Sequence, residues 1–461
     1  MKSKILFSWS VLMAVMIIAG LIPAAEEKKL PSRDAGAAGN AAPAASPAEQ
    51  SPEPKKKELY GNMPEDLEPF GKFVKAPYKK FFVPSDAAIT FWGPGREKPE
   101  PEVDTVKIGL LAPVERSHEA YMGRSILNGM LLALEEANAA GGYKGKPFEA
   151  VVKNDSGLWG ASANEIISFT YEEKVWAVIG TVDGANSHIA IRVALRTDIP
   201  MMNVADLDPT LMETRIPWVF RNVQDDRQMT YTIAYYVYKQ LGLNKVAILR
   251  ANNRYGRFGV AQFRKASIRL SKPAPIEVNY EINYDQVNMD FITQMSRLKD
   301  ANPDGIILWA DPVPAGILIK KIREMGMTIP VVACERILNP AFIREAGPAA
   351  EGVVATSPFN PESESPKFVE FKKKYKAHFA ADPDMYAAYS YDGTNMVVDA
   401  IHQAGLNRYR IRDAMTLQQD WVGATGICHY DDVFTNRTPV TVATVKNGKW
   451  VYGIPKLEHV F

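Results

Sequence analysis

The sequence predicts a parallel α/β fold built as two doubly wound lobes, and three observations carry that prediction. Short apolar runs alternate with stretches of helical period, as in strand–helix–strand units. The alternation restarts after Arg221-Asn222-Val223, where the chain is expected to leave one domain for another. Polar and aromatic residues collect just after the predicted strands in both halves, the edge at which open α/β sheets bind ligands.

Each element follows from its pattern. Residues 106–111, VKIGLL, read as the first strand, and Ile126, Met130, Ala133, Leu134 and Ala137 form the apolar stripe of the helix after it. Gly141 and Gly142 supply its left-handed cap. Residues 148–153 and 175–179 read as strands and 162–171 as a helix. The stretch 177–211 is the organising unit: a strand, the Gly-rich turn Gly180-Thr181-Val182-Asp183-Gly184, a helix, the run Met201-Met202-Asn203-Val204, and the turn Ala205-Asp206-Leu207-Asp208. The second series has helices over 230–241, 259–270, 291–299 and 315–325, with strands over 246–249, 276–280, 305–309 and 329–333. Residues 252–256 read as a loop, 352–355 lead on to a further helical stretch over 366–379, 386–404 read as one more helix, and 439–450 as a hairpin around Asn447-Gly448.

Upstream, Met1-Lys2-Ser3-Lys4, an apolar run and Pro23-Ala24-Ala25 have the three regions of a secretory signal over 1–25. The run is also near the ~20 residues of an uncleaved anchor. With no cysteine before Cys334, no lipid-modified terminus is expected. Residues 26–57, rich in Ala, Pro, Ser, Glu and Lys, read as a disordered linker. Residues 58–104 carry Phe81, Phe82 and Trp92 and read as an extended arm packed on the body. In an oxidising compartment Cys334 and Cys428 are open to pairing, but two cysteines make no disulfide scaffold.

Net charge is +1, which with no basic patch argues against nucleic acid. There is no GxxxxGK[ST] and no HExxH, Gly123-Arg124-Ser125-Ile126-Leu127 lacks the closing glycine of a nucleophile elbow, and the six histidines show no metal-ligand spacing. No catalytic residue, metal or cofactor is assigned. What remains is a cleft set: Arg116, Tyr121, Trp159, Asp183, Asn186 and Asp206 from the first half, Tyr255, Asp311 and Glu335 from the second. Asp183 and Asp206 equally fit helix caps, Tyr255 an exposed turn, Glu335 a solvated carboxylate and Trp159 packing; His188 fits a helix-start hydrogen bonder better than a catalyst.

These blocks resemble the type I periplasmic substrate-binding proteins of branched-chain amino acid and amide ABC importers. VKIGLLAPV, NGMLLALEEANAAGGYKGKPFEAVVKND, VWAVIG, DIPMMN, PWVFRNVQDD and VAILRANNRYGR occur in the family's order over residues 106–452. The resemblance implies two Rossmann-like lobes with parallel sheets joined by a three-crossing hinge, the periplasmic binding protein-like I fold. Lobe 1 is then 105–222 with 356–435, and lobe 2 is 223–355 with 436–456. It implies binding without chemistry, at Tyr121, at Asp183, Gly184, Ala185 and Asn186, at Ala205, Asp206 and Leu207, and at Tyr255, Glu335 and Tyr386; Asp311 joins them from its place after a predicted strand. Amino-acid binders offer Ser and Thr hydroxyls to the ligand carboxylate, whereas Gly184 and Leu207 stand here with Asp183 and Asp206 beside them. That change suits a ligand with donors or positive charge, unless Arg116 or another cation intervenes.

The expected function is therefore an exported, periplasmic, monomeric solute-binding protein. It captures a small polar molecule (amino acid, amide or amine-like) and hands it to an ABC transporter permease in the inner membrane. The alternative is a sensor presenting the solute to a signalling receptor; an exported enzyme using the cleft carboxylates lacks a nucleophile or metal motif.

Overall fold

Apolar runs and their intervening amphipathic helices sort into two sheets with helices on both faces. The computed structural model describes residues 82–83, 90–91, 95–156, 159–281, 290–431 and 433–453. The expected signal and linker, and most of the arm, lie outside these residues. A short antiparallel pair, β1 (Phe82–Val83) and β2 (Thr90–Phe91), precedes the body.

The first sheet holds β3 (Val106–Leu111), β4 (Phe148–Lys153), β5 (Val178–Ile179), β6 (Met201–Asn203) and β7 (Val219–Arg221), with helices α1 (Ala120–Ala139), α2 (Trp159–Tyr171), α3 (Gly184–Thr197) and α4 (Pro209–Glu213) between them. Its order is β4-β3-β5-β6-β7, every pair parallel. The chain then crosses through α5 (Asp226–Tyr235) to β8 (Val246–Ala251), α6 (Arg254–Arg269), β9 (Ile276–Tyr280), α7 (Ile292–Ala301), β10 (Gly305–Trp309), α8 (Pro312–Glu324), β11 (Val331–Ala333), α9 (Pro340–Ala346) and β12 (Val354–Ser357). It returns as α10 (Pro366–Phe379), α11 (Met385–Ala404), α12 (Arg408–Thr416) and the hairpin β13 (Trp421–Gly423) and β14 (Gly426–Cys428). A third crossing brings β15 (Thr441–Lys446) and β16 (Lys449–Gly453) antiparallel onto the second sheet, whose order is β16-β15-β12-β11-β10-β8-β9.

The central parallel strands β5, β6, β8, β10 and β11 are buried on both faces, as parallel sheets require. Along β8, Val246 and Ile248 enter one core, while Ala247, Leu249 and Ala251 enter the other. The returning chain belongs to the first lobe because α11 packs on α1. A Cβ on Gly129 of α1 would come within 2.1 Å of the Ala387 carbonyl oxygen, so only glycine permits that approach.

Several elements differ from the sequence expectation for identifiable reasons. The expected strand 175–179 is shortened to Val178–Ile179: Trp176 and Ala177 still bond to Lys107 and Gly109 of β3, while the Val175 N–H turns back to the Phe169 carbonyl at the end of α2. The helix expected from 259 begins at Arg254: Asn253 accepts from the Gly256 N–H and caps it, so Tyr255 lies in a first turn rather than a loop. Strand β7, expected as part of an exit segment, pairs with β6 and is too short for its period to show. Cys334 and Cys428 are both buried and free. Among the described residues no helix is long and apolar enough to cross a membrane.

Candidate functional site

The loops that follow the strands of one sheet meet those of the other, and ion pairs join them. Arg336, in the short turn after β11, donates through Nη1 to Glu119 Oε1 at 3.0 Å and to Asp311 Oδ1 at 2.9 Å. Glu119 precedes α1 in the first lobe; Asp311 follows β10 in the second. All three side chains are buried. The guanidinium lies 3.7 Å from the centre of the Tyr255 ring, a cation–π stack. A second bridge runs from Arg254, opening α6, to Asp208 Oδ2 at 2.6 Å and Thr210 Oγ1 at 3.0 Å in the first lobe. Gly184 is required beneath it: a Cβ there would sit 2.8 Å from Asp208 Oδ2 and 2.9 Å from Arg254 Nε.

Between the two bridges lies a cavity of about 10 Å³, room for roughly one water. Its lining includes Asp206, Asp208, Asp226, Tyr255 and Arg336. Glu335 faces the same carboxylates: Tyr255 donates its hydroxyl to Glu335 Oε1 at 2.9 Å, while Glu335 Oε2 and Asp226 Oδ1 have no protein hydrogen-bond partner. Burial pushes the Asp206 carboxyl up to about 7, with Asp208 adding repulsion. Burial holds Asp226 well above the usual carboxylate range, reinforced by Glu335 and Asp208. Glu335 is likewise raised by burial, against the pull of Arg336, and Glu119 is raised to about 8 by burial despite the same arginine. Burial lowers both nearby imidazoles, His118 and His188, the latter to about 4. The site is a buried, carboxyl-rich cleft in which both neighbouring arginines are already paired.

The comparisons agree with this architecture. A family model described as a periplasmic binding protein matches residues 105–449. The chain belongs to the periplasmic binding protein family. It is leucine-binding-protein-like, of type I. The Leu/Ile/Val-binding protein homolog 2 of Brucella abortus is 28% identical over 309 residues, covering 66% of this chain and 79% of the relative. The leucine-binding protein LivK of Thermotoga maritima superposes with a TM-score of 0.70 at 26% identity, over 76% of this chain and 98% of that one. LivJ of Streptococcus pneumoniae, in complex with isoleucine, gives a TM-score of 0.67 at 25% identity, over 76% and 100%. This is a family of solute-binding proteins rather than of enzymes.

The structure of this binding protein places each expected site residue. Tyr255, Asp311 and Glu335 converge around Arg336, and Tyr121 and Tyr386 meet edge to face at 6.2 Å. Asp183 caps α3 by accepting from the Ala185 N–H, the simpler of its two expected roles. Asn186 is buried and donates to Asp155 Oδ2. Asp206 caps no helix; its Oδ1 takes the Asp208 N–H, and Asn203 Oδ1 holds the Ala205 and Asp206 N–H groups. Leu207 turns into the core and presents only its carbonyl, bonded to the Asp226 N–H. Arg116 stays exposed, so the cations of the cleft are Arg254 and Arg336 instead. The side chain of Trp159 lies outside the described residues. Sequence reasoning passed over Glu119, Asp226, Arg254 and Arg336. The signal for Arg336 was its place beside Glu335, and for Asp226 its place in the VQDD block that opens α5.

Proposed function

We propose that this chain is an exported, monomeric binding protein that captures a small polar solute (an amino acid, amide or amine) between its lobes and delivers it to an ABC importer permease. Lobe 1 comprises 105–222 with 356–435, lobe 2 comprises 223–355 with 436–456, and residues 1–25 direct export to the periplasm. The supporting observation is the convergence of strand-end loops from two parallel sheets on one buried polar cavity, bridged by Arg336 and Arg254. Relatives bearing leucine, isoleucine and valine in their names support a nitrogen-bearing solute.

The chain's own groups suit capture by closure. Tyr121, Tyr255 and Tyr386 offer ring faces, and Glu335 and Asp226 offer acceptors. Cross-lobe pairs form only when the lobes meet, so ligand and latch stabilise the same closed state. A solute of amino-acid size exceeds the present cavity, and its entry needs the lobes to part or the arginines to swing aside.

The test is a thermal-shift screen of the full chain, unfolded and refolded to strip bound solute, against amino acids, amides, amines, polyols and aromatic acids. A solute at 100 times its dissociation constant adds about 2.7 kcal/mol, a clear rise in Tm. One chemical class raising the Tm in a saturable manner supports the reading. A flat response across the whole panel contradicts it.

A further inference from the structure

We infer that the solute of this cleft is a cationic amine that carries no carboxylate, held by Asp226 and Glu335; the inference rests on the solute-capture reading above. Asp226 is 1% exposed and Glu335 2%. Each keeps one carboxyl oxygen without a protein partner, and Asp226 lines the cavity directly. A buried carboxyl oxygen left unpaired costs free energy until a donor arrives. Among the described residues no donor is bonded to either oxygen. Arg254 is committed to Asp208 and Thr210, and Arg336 to Glu119 and Asp311.

The same inventory disfavours a ligand carboxylate. In the resemblance, that group is held by hydroxyls in the loops that here carry Gly184 and Leu207. Leu207 is in the core, and Gly184 is covered by the Asp208–Arg254 pair. The hydroxyls around it are engaged: Thr181 and Ser187 with one another, Thr210 with Asp208 and Arg254, and Tyr255 with Glu335. Asp206 and Asp208 face the space from the first lobe and Asp226 from α5, with Glu335 of the second lobe close behind Asp226 and held on Tyr255. An added carboxylate adds to the repulsion that already keeps these groups protonated, whereas an ammonium draws them into their charged form.

Cation binding carries a signature that neutral or zwitterionic binding does not share to the same degree. Carboxyls held protonated by burial and mutual repulsion ionise when a cation joins them, so the amine binds with net release of protons.

The experiment is calorimetry on the stripped full chain at pH 7, in two buffers of different ionisation enthalpy, with matched pairs: isopentylamine against leucine, and putrescine against ornithine. The expected result is an amine of one pair binding at least about 100-fold more tightly than its amino acid, with protons released, and a loss of at least about tenfold in Asp226→Asn and again in Glu335→Gln. An amino acid binding as tightly as its amine, or amine binding without proton release, overturns the inference while leaving solute capture standing. Amine affinity unchanged in both variants also overturns it. No binding by either pair, with the thermal panel flat as well, removes both readings.

Discussion

At the scale of single residues, the cleft gathers more carboxyls than arginines. Glu119, Asp206, Asp226 and Glu335 all hold their protons above the ordinary carboxylate range, chiefly through burial. A carboxyl whose folded pKa is raised binds more protons folded than unfolded between its two pKa values, so stability falls as pH rises through that window. His188, lowered to about 4, works in the opposite sense, but only up to its ordinary 6.5. The ligand-free chain is therefore expected to lose stability between pH 6.5 and 8, where Asp206 and Glu119 give up their protons. Chemical denaturation at fixed salt measures this, and a flat or rising stability over that interval contradicts it. The convergence of Tyr255, Asp311 and Glu335 was legible from their positions just beyond predicted strands. Arg336 and Glu119 were not, because their meaning depends on two lobes facing one another, and no local pattern encodes that apposition.

At the scale of elements, glycines and caps decide where the functional turns lie. Helix α3 starts against the cross-lobe pair, and Gly184 leaves that pair its space. Gly184→Ala is expected to push Arg254 off Asp208, weakening solute affinity by about tenfold, the worth of one charge-assisted hydrogen bond, while α3 keeps its Asp183 cap. Titration of the variant with the solute found in the panel checks this; wild-type affinity would show that the pair is incidental to closure. Long elements such as α1 and α11 were legible from periodicity, with ends off by a residue or few. Strand β7 and the hairpin β13–β14 are three residues per strand, shorter than the pattern needed to read them. Helix α12 was missed although Asn407 announces it, accepting from the Tyr409 and Arg410 N–H groups. The same Asn407 amide donates to the carbonyls of Gly95 and Lys98, and Arg96 pairs with Asp413, so the last described part of the arm is tied to this helix.

At the scale of the molecule, two sheets, three crossings and two ionic bridges amount to a fold that keeps unpaired acidic oxygens in its interior. Groups that lower stability without a structural role are expected where function needs them. The order of the sequence blocks made the whole-molecule architecture legible, whereas the closed apposition of the lobes was beyond it. The central claim, that solute is held between the lobes by Asp226 and Glu335, is tested most directly by titrating the panel's solute into wild type and the double variant Asp226→Asn, Glu335→Gln. The double variant removes two charge-assisted hydrogen bonds to the solute, each worth about 1.5–3 kcal/mol. Affinity is predicted to fall by roughly 100-fold or more, while Tm holds or rises as the buried repulsion is relieved. Undiminished affinity in the double variant would contradict the account and place the solute elsewhere.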